Sequence, residues 1–203
     1  MPTPELLAGY HRFRAAVWPE RRVLFERLAS EGQQPPALVI ACSDSRVDPA
    51  MIFGTAPGTL FIVRNVAALV PPYGPDSAYH GTSAAIEYAV TVLEVPNVIV
   101  LGHAMCGGIA ALLSPQPTQG AFIGPWISLA RPAADRVLAC TPVSAAQDAC
   151  EHEVIKLSLE NLRTFPFIAE RAAAARLRLH GARFAISTGI LELLQPDGSF
   201  APA

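Results

Sequence analysis

Two short segments carry the side chains with the clearest chemical potential. Cys42 is followed by Asp44 and Arg46 in the sequence CSDSR, and His103 and Cys106 lie in the sequence GHAMCGG. Two thiolates and one imidazole form a suitable ligand set for Zn²⁺, and three protein ligands leave the fourth tetrahedral position open for catalysis. The remaining cysteines are distant in sequence, so we expect a catalytic rather than a closed structural site. Outside an oxidising compartment, a disulfide between the two thiols is disfavoured.

Asp44 and Arg46 suggest how a bound water would be controlled. Two thiolates neutralise Zn²⁺, so the water is less acidified than at a three-histidine site and its hydroxide needs further stabilisation. Asp44 can accept a hydrogen bond from zinc-bound hydroxide, with Arg46 keeping the carboxylate ionised through a bidentate pair. Alternatively, Asp44 is itself the fourth ligand and closes the site, and an open and a closed state can both occur. Beside the ligands, Gly107 and Gly108 allow the backbone to approach a small molecule, and N–H groups at a helix start favour an anion.

Each ligand segment directly follows an apolar run typical of a buried strand. Four such runs predict strands buried on both faces, at residues 37–41, 60–63, 97–101 and 183–187. Helical patterns lie between and after them, at residues 83–93, 107–113, 122–139 and 144–180. This alternation predicts an α/β fold with a central, mostly parallel β-sheet of about four to five strands flanked by helices. Because the carboxyl ends of parallel strands meet at one edge, the two ligand segments are expected to converge there.

The ends of the chain suggest how it is organised. Apolar residues recur at helical spacing over residues 4–31, and Pro19 must kink or split that helix. We predict a single domain over residues 1–203, because no linker is long or polar enough to divide it. Residues 1–31 are predicted as an N-terminal helical arm packing on a partner subunit, with packing on its own core as the alternative. Residues 32–190 are predicted as the catalytic core and 191–203 as a C-terminal tail.

Composition excludes several classes of protein. The 203 residues are 51% apolar and only 16% charged, with a net charge of −2. Such a chain is not disordered, and it has no positive field for nucleic acid or an anionic membrane. The uncharged stretch from Val95 to Ala130 is broken by Pro and Gly, so it contains no span of about 20 apolar residues and predicts no membrane segment. The first residues lack the apolar region of a signal peptide, so we expect a cytoplasmic location.

The two ligand motifs together resemble those of the β-class carbonic anhydrases. The resemblance extends over residues 30–190, including FIVRNVA, LVPPY, GTSAAIEYAV and SLENLRTFPF, and is strongest to the plant-type branch. It implies reversible hydration of CO₂ to bicarbonate and a proton, by attack of zinc-bound hydroxide on CO₂. It also implies one Zn²⁺ per subunit, held by Cys42, His103 and Cys106, with Asp44 and Arg46 as the orienting dyad.

The resemblance further implies a set of substrate-binding residues and a partner. Gln33, nine residues before the first ligand, matches a residue that hydrogen-bonds CO₂ or bicarbonate. Phe61, Val66 and Tyr88 match residues lining a small apolar pocket, with Tyr88 reaching across from the partner subunit. The N–H of Gly107 is a further donor for charge developing on CO₂. The family forms an obligate homodimer or an assembly of dimers, and the low net charge predicts no nucleic acid or membrane partner.

The chain departs from the family pattern at three places. Phe184 and Ala185 stand where the family often has Tyr-Asp. Val39 and Phe184 occupy positions where another branch binds an inhibitory bicarbonate, so no such site is expected. Val92 replaces a proposed proton-shuttle histidine, which leaves the shuttle unassigned.

Two other functions remain open from the sequence. One is a zinc hydrolase of the same fold acting on COS or CS₂. The other is a non-catalytic zinc protein in which Asp44 stays bound to the metal. The low charge predicts a large apolar subunit interface at or beside residues 95–130, and no stable folded monomer.

Overall fold

A single six-stranded sheet forms the centre of the fold. The computed structural model describes residues 3–76, 78–116 and 120–203. Its strands are β1 (Ala37–Cys42), β2 (Leu60–Asn65), β3 (Asn97–His103), β4 (Arg178–Ala185), β5 (Ile190–Leu194) and β6 (Phe200–Pro202). The sheet order is β2-β1-β3-β4-β5-β6; the first four strands are parallel, and β5 and β6 are antiparallel additions. The predicted α/β class with a mostly parallel sheet is confirmed.

The central strands are apolar because helices or loops cover both faces. Every residue of β1 is buried, and β1 lies between β2 and β3 in the sheet. The register pairs Cys42 with Asn65 and Ala41 with Leu101. The carboxyl ends of β1, β2 and β3 therefore form one continuous edge, here called the ligand edge. The ligand edge is where the two candidate metal-binding segments begin.

Helices surround the sheet. They are α1 (Pro4–Arg12), α2 (Trp18–Glu31), α3 (Pro49–Ile52), α4 (Gly81–Glu87), α5 (Gly107–Leu113), α6 (Ile123–Ser128), α7 (Arg131–Leu138), α8 (Val143–Leu162) and α9 (Pro166–Ala173). Short π-helical turns cover Phe13–Val17 and Tyr88–Val92, and a 3₁₀ turn covers Val66–Ala68. The long helix α8 packs against β3, β4, α5 and α7. Helix α8 therefore contacts both the strand β3 that ends at the ligand edge and the helix α5 that begins there.

The N-terminal arm is helical and lies away from the core. Its regular hydrogen bonding is interrupted over Phe13–Val17, just before Pro19, as expected where proline has no N–H to donate. No described residue of the arm is buried, and Leu6, Tyr10 and Val23 are exposed. Leu28 packs on Gly58, but much of the apolar stripe remains exposed in the single chain. Residues 1 and 2 of the predicted arm lie outside the described residues.

Two parts of the C-terminal region differ from the sequence-based prediction. The helix predicted to run to residue 180 ends at Ala173, and Ala175 turns the chain with φ 55° before β4 begins at Arg178 rather than at Arg183. Pairing with β3, from Asn97 to Arg178 onwards, overrides the helical propensity of this alanine- and arginine-rich stretch. The predicted C-terminal tail instead forms most of β5 and all of β6.

The uncharged stretch contains a strand and helices but no candidate membrane span. It includes β3, α5 and α6, while its residues 117–119 lie outside the described residues. Across the three described ranges, no helix combines the length and apolar character needed to cross a bilayer.

Candidate metal centre

Three side chains converge at the ligand edge. Cys42 is the last residue of β1, His103 is the last residue of β3, and Cys106 caps the start of α5. All three are buried, and their candidate ligand atoms lie within 4.8 Å of one another. The parallel sheet thus brings together side chains that are separated by more than sixty positions in the sequence.

The donor set fits a zinc ion. Nδ1 of His103 lies 2.9 Å from the carbonyl oxygen of Ala104, which directs Nε2 toward the two thiols. That Nε2 is the one buried side-chain nitrogen or oxygen, among the described residues, without a hydrogen-bond partner. Buried polar atoms are nearly always paired, so an unpaired imidazole nitrogen beside two thiols fits a donor set that binds a cation. A second hydrogen bond that fixes the ring is usual for a metal-binding histidine.

The two thiols have strongly divergent pKa values. Hydrogen bonding from the Cys106 thiol lowers the pKa of Cys42 well below its ordinary value, despite burial. His103 and the N–H of Ala67, 3.3 Å from the sulfur, contribute to the same shift. The pKa of Cys106 is raised correspondingly, because its proton is held by Cys42. A divalent cation would take the place of that shared proton, since metal ligation requires thiolates.

Unusual backbone conformations lie next to the ligands. Ala67 and Met105 have left-handed φ angles of 67° and 57°, although neither is glycine. Strained residues of this kind cluster at functional sites. Met105 makes the turn between His103 and Cys106. Gly108 permits close approach, because a Cβ atom there would lie 2.8 Å from Cγ1 of Val66.

Asp44 faces the cluster without joining it. Arg46 donates from Nε to Oδ1 at 2.9 Å and from Nη2 to Oδ2 at 2.7 Å, and its backbone N–H also donates to Oδ1. These hydrogen bonds hold the pKa of Asp44 well below its ordinary value. Oδ2 of Asp44 lies 3.9 Å from Nε2 of His103, and among the described residues the metal-binding group comprises only the two cysteines and that histidine.

Sequence reasoning missed Arg64, which holds the Asp44 loop in place. It donates from Nε to the carbonyl oxygen of Cys42 at 2.9 Å, and from Nη2 to those of Asp44 and Val47 at 2.7 Å each. The available signal was a charged residue inside the apolar strand β2. Glu151 on α8 and Arg183 on β4, which are both buried, were missed as well.

Two of the predicted substrate residues lie beside the centre. Val66 follows the end of β2, and its carbonyl oxygen accepts from Nε1 of Trp126 at 2.9 Å. Gly107 is the first residue of α5, adjacent to Cys106. Both therefore border the space in front of the three ligands.

The other three predicted substrate residues lie elsewhere in this chain. Gln33 is exposed in the segment before the amino end of β1. Phe61 pairs with Leu38, four residues before Cys42, which is about 13 Å along the strand. The ring of Tyr88 packs on Phe61 with centroids 5.9 Å apart. In a single chain these residues lie toward the amino ends of the strands, away from the ligand edge, because Gln33 comes before β1 and Phe61, with Tyr88 against it, is near the start of β2.

An open apolar cavity adjoins the ligand edge. Its volume is about 790 Å³, and it is lined by Ser43, Asn65 and Val66 on one side and by Tyr79, Phe122 and Trp126 among others. Phe122 is 90% exposed in the single chain. A large apolar surface therefore lies directly beside the candidate metal centre.

Comparisons with known proteins agree with this geometry. Residues 37–191 match the family model described as "Carbonic anhydrase". The chain is 38% identical to beta carbonic anhydrase 3 of Arabidopsis thaliana, over 97% of this chain and 78% of the relative. The structure of the β-carbonic anhydrase CcaA superposes with a TM-score of 0.90 at 33% identity, covering 98% of this chain and 91% of that one. A tetrameric β-carbonic anhydrase of Sordaria macrospora superposes with a TM-score of 0.83 at 29% identity, covering 97% of each chain.

Proposed function

This chain belongs to the β-carbonic anhydrase family, and from that premise we propose that it catalyses the reversible hydration of CO₂ to bicarbonate and a proton. The observation that carries the proposal is the orphaned Nε2 of His103 between two thiols, faced by a carboxylate that an arginine holds ionised. This arrangement provides a cation site with a hydrogen-bond acceptor beside it. Both features are needed for hydration of a neutral substrate.

Zinc is the cofactor of this family, and Cys42, His103 and Cys106 are the residues that would hold one ion per subunit. When bound, zinc supplies a water molecule whose pKa is lowered toward neutrality, which makes it a nucleophile at physiological pH. With only three protein ligands, such an ion would keep a position for that water.

Asp44 would orient the nucleophile. Its carboxylate is fixed by two side-chain hydrogen bonds from Arg46, so its remaining acceptor capacity faces the three ligands. Accepting a hydrogen bond from the nucleophile would direct a lone pair toward the carbon of CO₂. The pairing with Arg46 favours the open arrangement over the closed one in which Asp44 is a fourth ligand.

The substrate would bind against an apolar wall with polar donors at its edge. CO₂ is small and apolar, and Val66 together with the adjoining cavity offers such a surface. The N–H of Gly107 would donate to the oxygen on which negative charge develops.

Gln33, Phe61 and Tyr88 would complete the site of a second subunit. They lie toward the edge of the sheet opposite the ligands of their own chain, so they can contact substrate only at another chain's centre. The exposed apolar stripe of the arm and the exposed Phe122 support a homodimer, or an assembly of dimers, in which such surfaces are covered. We also propose that residues 1–203 form a single domain.

A substrate panel tests the proposed reaction. The zinc-loaded protein is mixed with CO₂ or with COS, and proton release and H₂S release are followed in parallel. Proton release with CO₂ well above the buffer rate, without H₂S from COS, is expected. H₂S release as the main activity would instead indicate a hydrolase of the same fold, and no reaction with either at neutral and alkaline pH would contradict an enzymatic role.

A further inference from the structure

We propose that Glu151, held by Arg183, is a positioning residue that fixes the zinc ligand Cys106 through its backbone N–H. This inference rests on the metal centre of the proposed function. It assigns a role to a buried charge pair that the mechanism above does not use.

The carboxylate of Glu151 lies directly behind the metal-binding loop. Glu151 is 4% exposed and is the one buried carboxylate among residues 3–76, 78–116 and 120–203. Its Oε1 accepts from the backbone N–H of Cys106 at 3.1 Å and from Nε2 of Gln147 at 3.2 Å. Burying a charge is costly unless it is paired and hydrogen-bonded, so such a group is expected to have a structural or functional purpose.

Arg183 satisfies the other oxygen of the same carboxylate. It donates to Oε2 from Nε at 3.2 Å and from Nη2 at 2.8 Å, and it is itself 6% exposed. Its remaining donors reach Oε2 of Glu192 at 2.8 Å and a carboxylate oxygen of Asp148. The guanidinium thus neutralises Glu151 and fixes its plane, which directs Oε1 at the loop.

The hydrogen bond to Cys106 replaces one that the helix cannot make. Cys106 caps the start of α5, and the N–H of an N-cap residue has no acceptor within its helix unless the third helical residue is Glu or Gln. The third residue of α5 is Ile109, whose side chain has no hydrogen-bond acceptor. Glu151 supplies the acceptor from α8 instead. The backbone of the ligand is thereby fixed directly after the strained turn at Met105.

Close packing of α8 on the sheet fixes the distance between Glu151 and the metal-binding loop. Ile155 lies one helical turn further along α8, against two glycines of the sheet. A Cβ atom at Gly102 would lie 2.7 Å from Cδ1 of Ile155, and one at Gly181 would lie 2.9 Å from its Cγ2. Ile155 of α8 therefore packs directly on the backbone of β3 and β4, where any larger residue than glycine would displace it. The carboxylate one turn earlier is held at a fixed distance from the metal-binding loop.

The test measures zinc retention, which requires no turnover. Wild-type protein and the variants E151M, E151Q and R183M are loaded with zinc, and release to a chromophoric chelator is timed. Partners of metal ligands typically contribute about 10- to 100-fold to metal affinity, so we expect E151M to accelerate release in that range. E151Q keeps an acceptor oxygen and should release zinc faster than wild type but more slowly than E151M. R183M should also accelerate release.

The matched control is E153Q, which changes a carboxylate of the same helix that pairs with Arg136 at 2.8 Å, away from Cys106. Its release rate should equal that of wild type. Substitution with Co²⁺ gives a second readout, because a displaced Cys106 thiolate changes the thiolate-to-metal charge-transfer band.

Circular dichroism checks that each variant is folded at the assay temperature. If E151M does not fold, the zinc release rate of E151Q is compared with that of E153Q instead. Release from the folded Glu151 variants within twofold of wild type, or equal acceleration in E153Q, would overturn the inference. CO₂ hydration by the wild type tests the proposed function separately.

Discussion

Replacing Asp44 with asparagine tests the orienting dyad most closely. The substitution preserves the size of the side chain but removes its charge and turns one acceptor oxygen into a donor NH₂ group. In the native chain both carboxylate oxygens accept from Arg46, at 2.9 and 2.7 Å. An asparagine can satisfy only one of these donors, so it either loses part of the pair or turns its NH₂ group toward the nucleophile. In both cases the acceptor that orients the nucleophile is lost or misplaced.

The expected magnitude follows from one charge-assisted hydrogen bond. Such a bond contributes about 1.5–3 kcal/mol, and about 1.4 kcal/mol corresponds to a tenfold change in rate. D44N should therefore lower kcat for CO₂ hydration by about 10- to 150-fold. Zinc content should remain unchanged, because Asp44 does not belong to the metal-binding group.

Stopped-flow CO₂ hydration and metal analysis on the same sample provide the measurement. D197N is the matched control, since Asp197 lies in an exposed turn and accepts local hydrogen bonds from Ser199. Turnover of D44N within twofold of wild type would refute the orienting role. Loss of zinc from D44N would instead identify Asp44 as a metal ligand.

Three further predictions address packing, acid stability and the shared site. G108A should lower the free energy of unfolding by about 1–3 kcal/mol in urea denaturation, because its Cβ would meet a side chain at 2.8 Å, whereas G107A meets nothing within 4 Å and should be neutral or stabilising. Burial tends to raise the pKa of Glu192, but hydrogen bonds from its arginine and histidine partners outweigh burial and lower it. The ionised Glu192 therefore stabilises the fold fully at pH values above its unfolded pKa near 4.5, and this stabilisation is lost as the pH falls through its lower folded pKa. E192Q should make the free energy of unfolding fall less steeply with acid, and an unchanged fall would contradict this role of Glu192. Finally, mixing inactive C42S chains with impaired Y88A chains should restore activity. About half of randomly mixed dimers contain one chain of each kind, and in these one site combines the native Cys42 of one chain with the native Tyr88 of the other. No restoration would show that Tyr88 acts within its own chain.

The ligand edge was predictable because parallel strands impose a simple geometry. Cys42 and His103 each end an apolar run, and in a parallel sheet such ends lie together whatever the sequence distance between them. The helix predicted over residues 107–113 is α5, with the bounds Gly107–Leu113. Asp44 and Arg46 were predictable because their pairing is local, within three residues.

The remaining features depend on contacts that no local pattern encodes. The start of β4 at Arg178 is set by its pairing with Asn97, some eighty positions earlier. Gln33 lies before β1 and Phe61 near the start of β2, so both are about a strand length from the ligands of their own chain, and no local pattern shows that only a second chain could bring them to a metal centre. Glu151 reaches Cys106 only because α8 packs across β3, and a helical glutamate carries no sign of such a partner.

The most direct test of the central claim is a zinc titration of the metal-free protein, monitored by its initial rate of CO₂ hydration. We expect a rate that rises linearly with added zinc and reaches a plateau at one ion per chain, with the C42S variant inactive throughout. A chain that binds one zinc yet hydrates CO₂ no faster than buffer, or a rate independent of zinc, would contradict it.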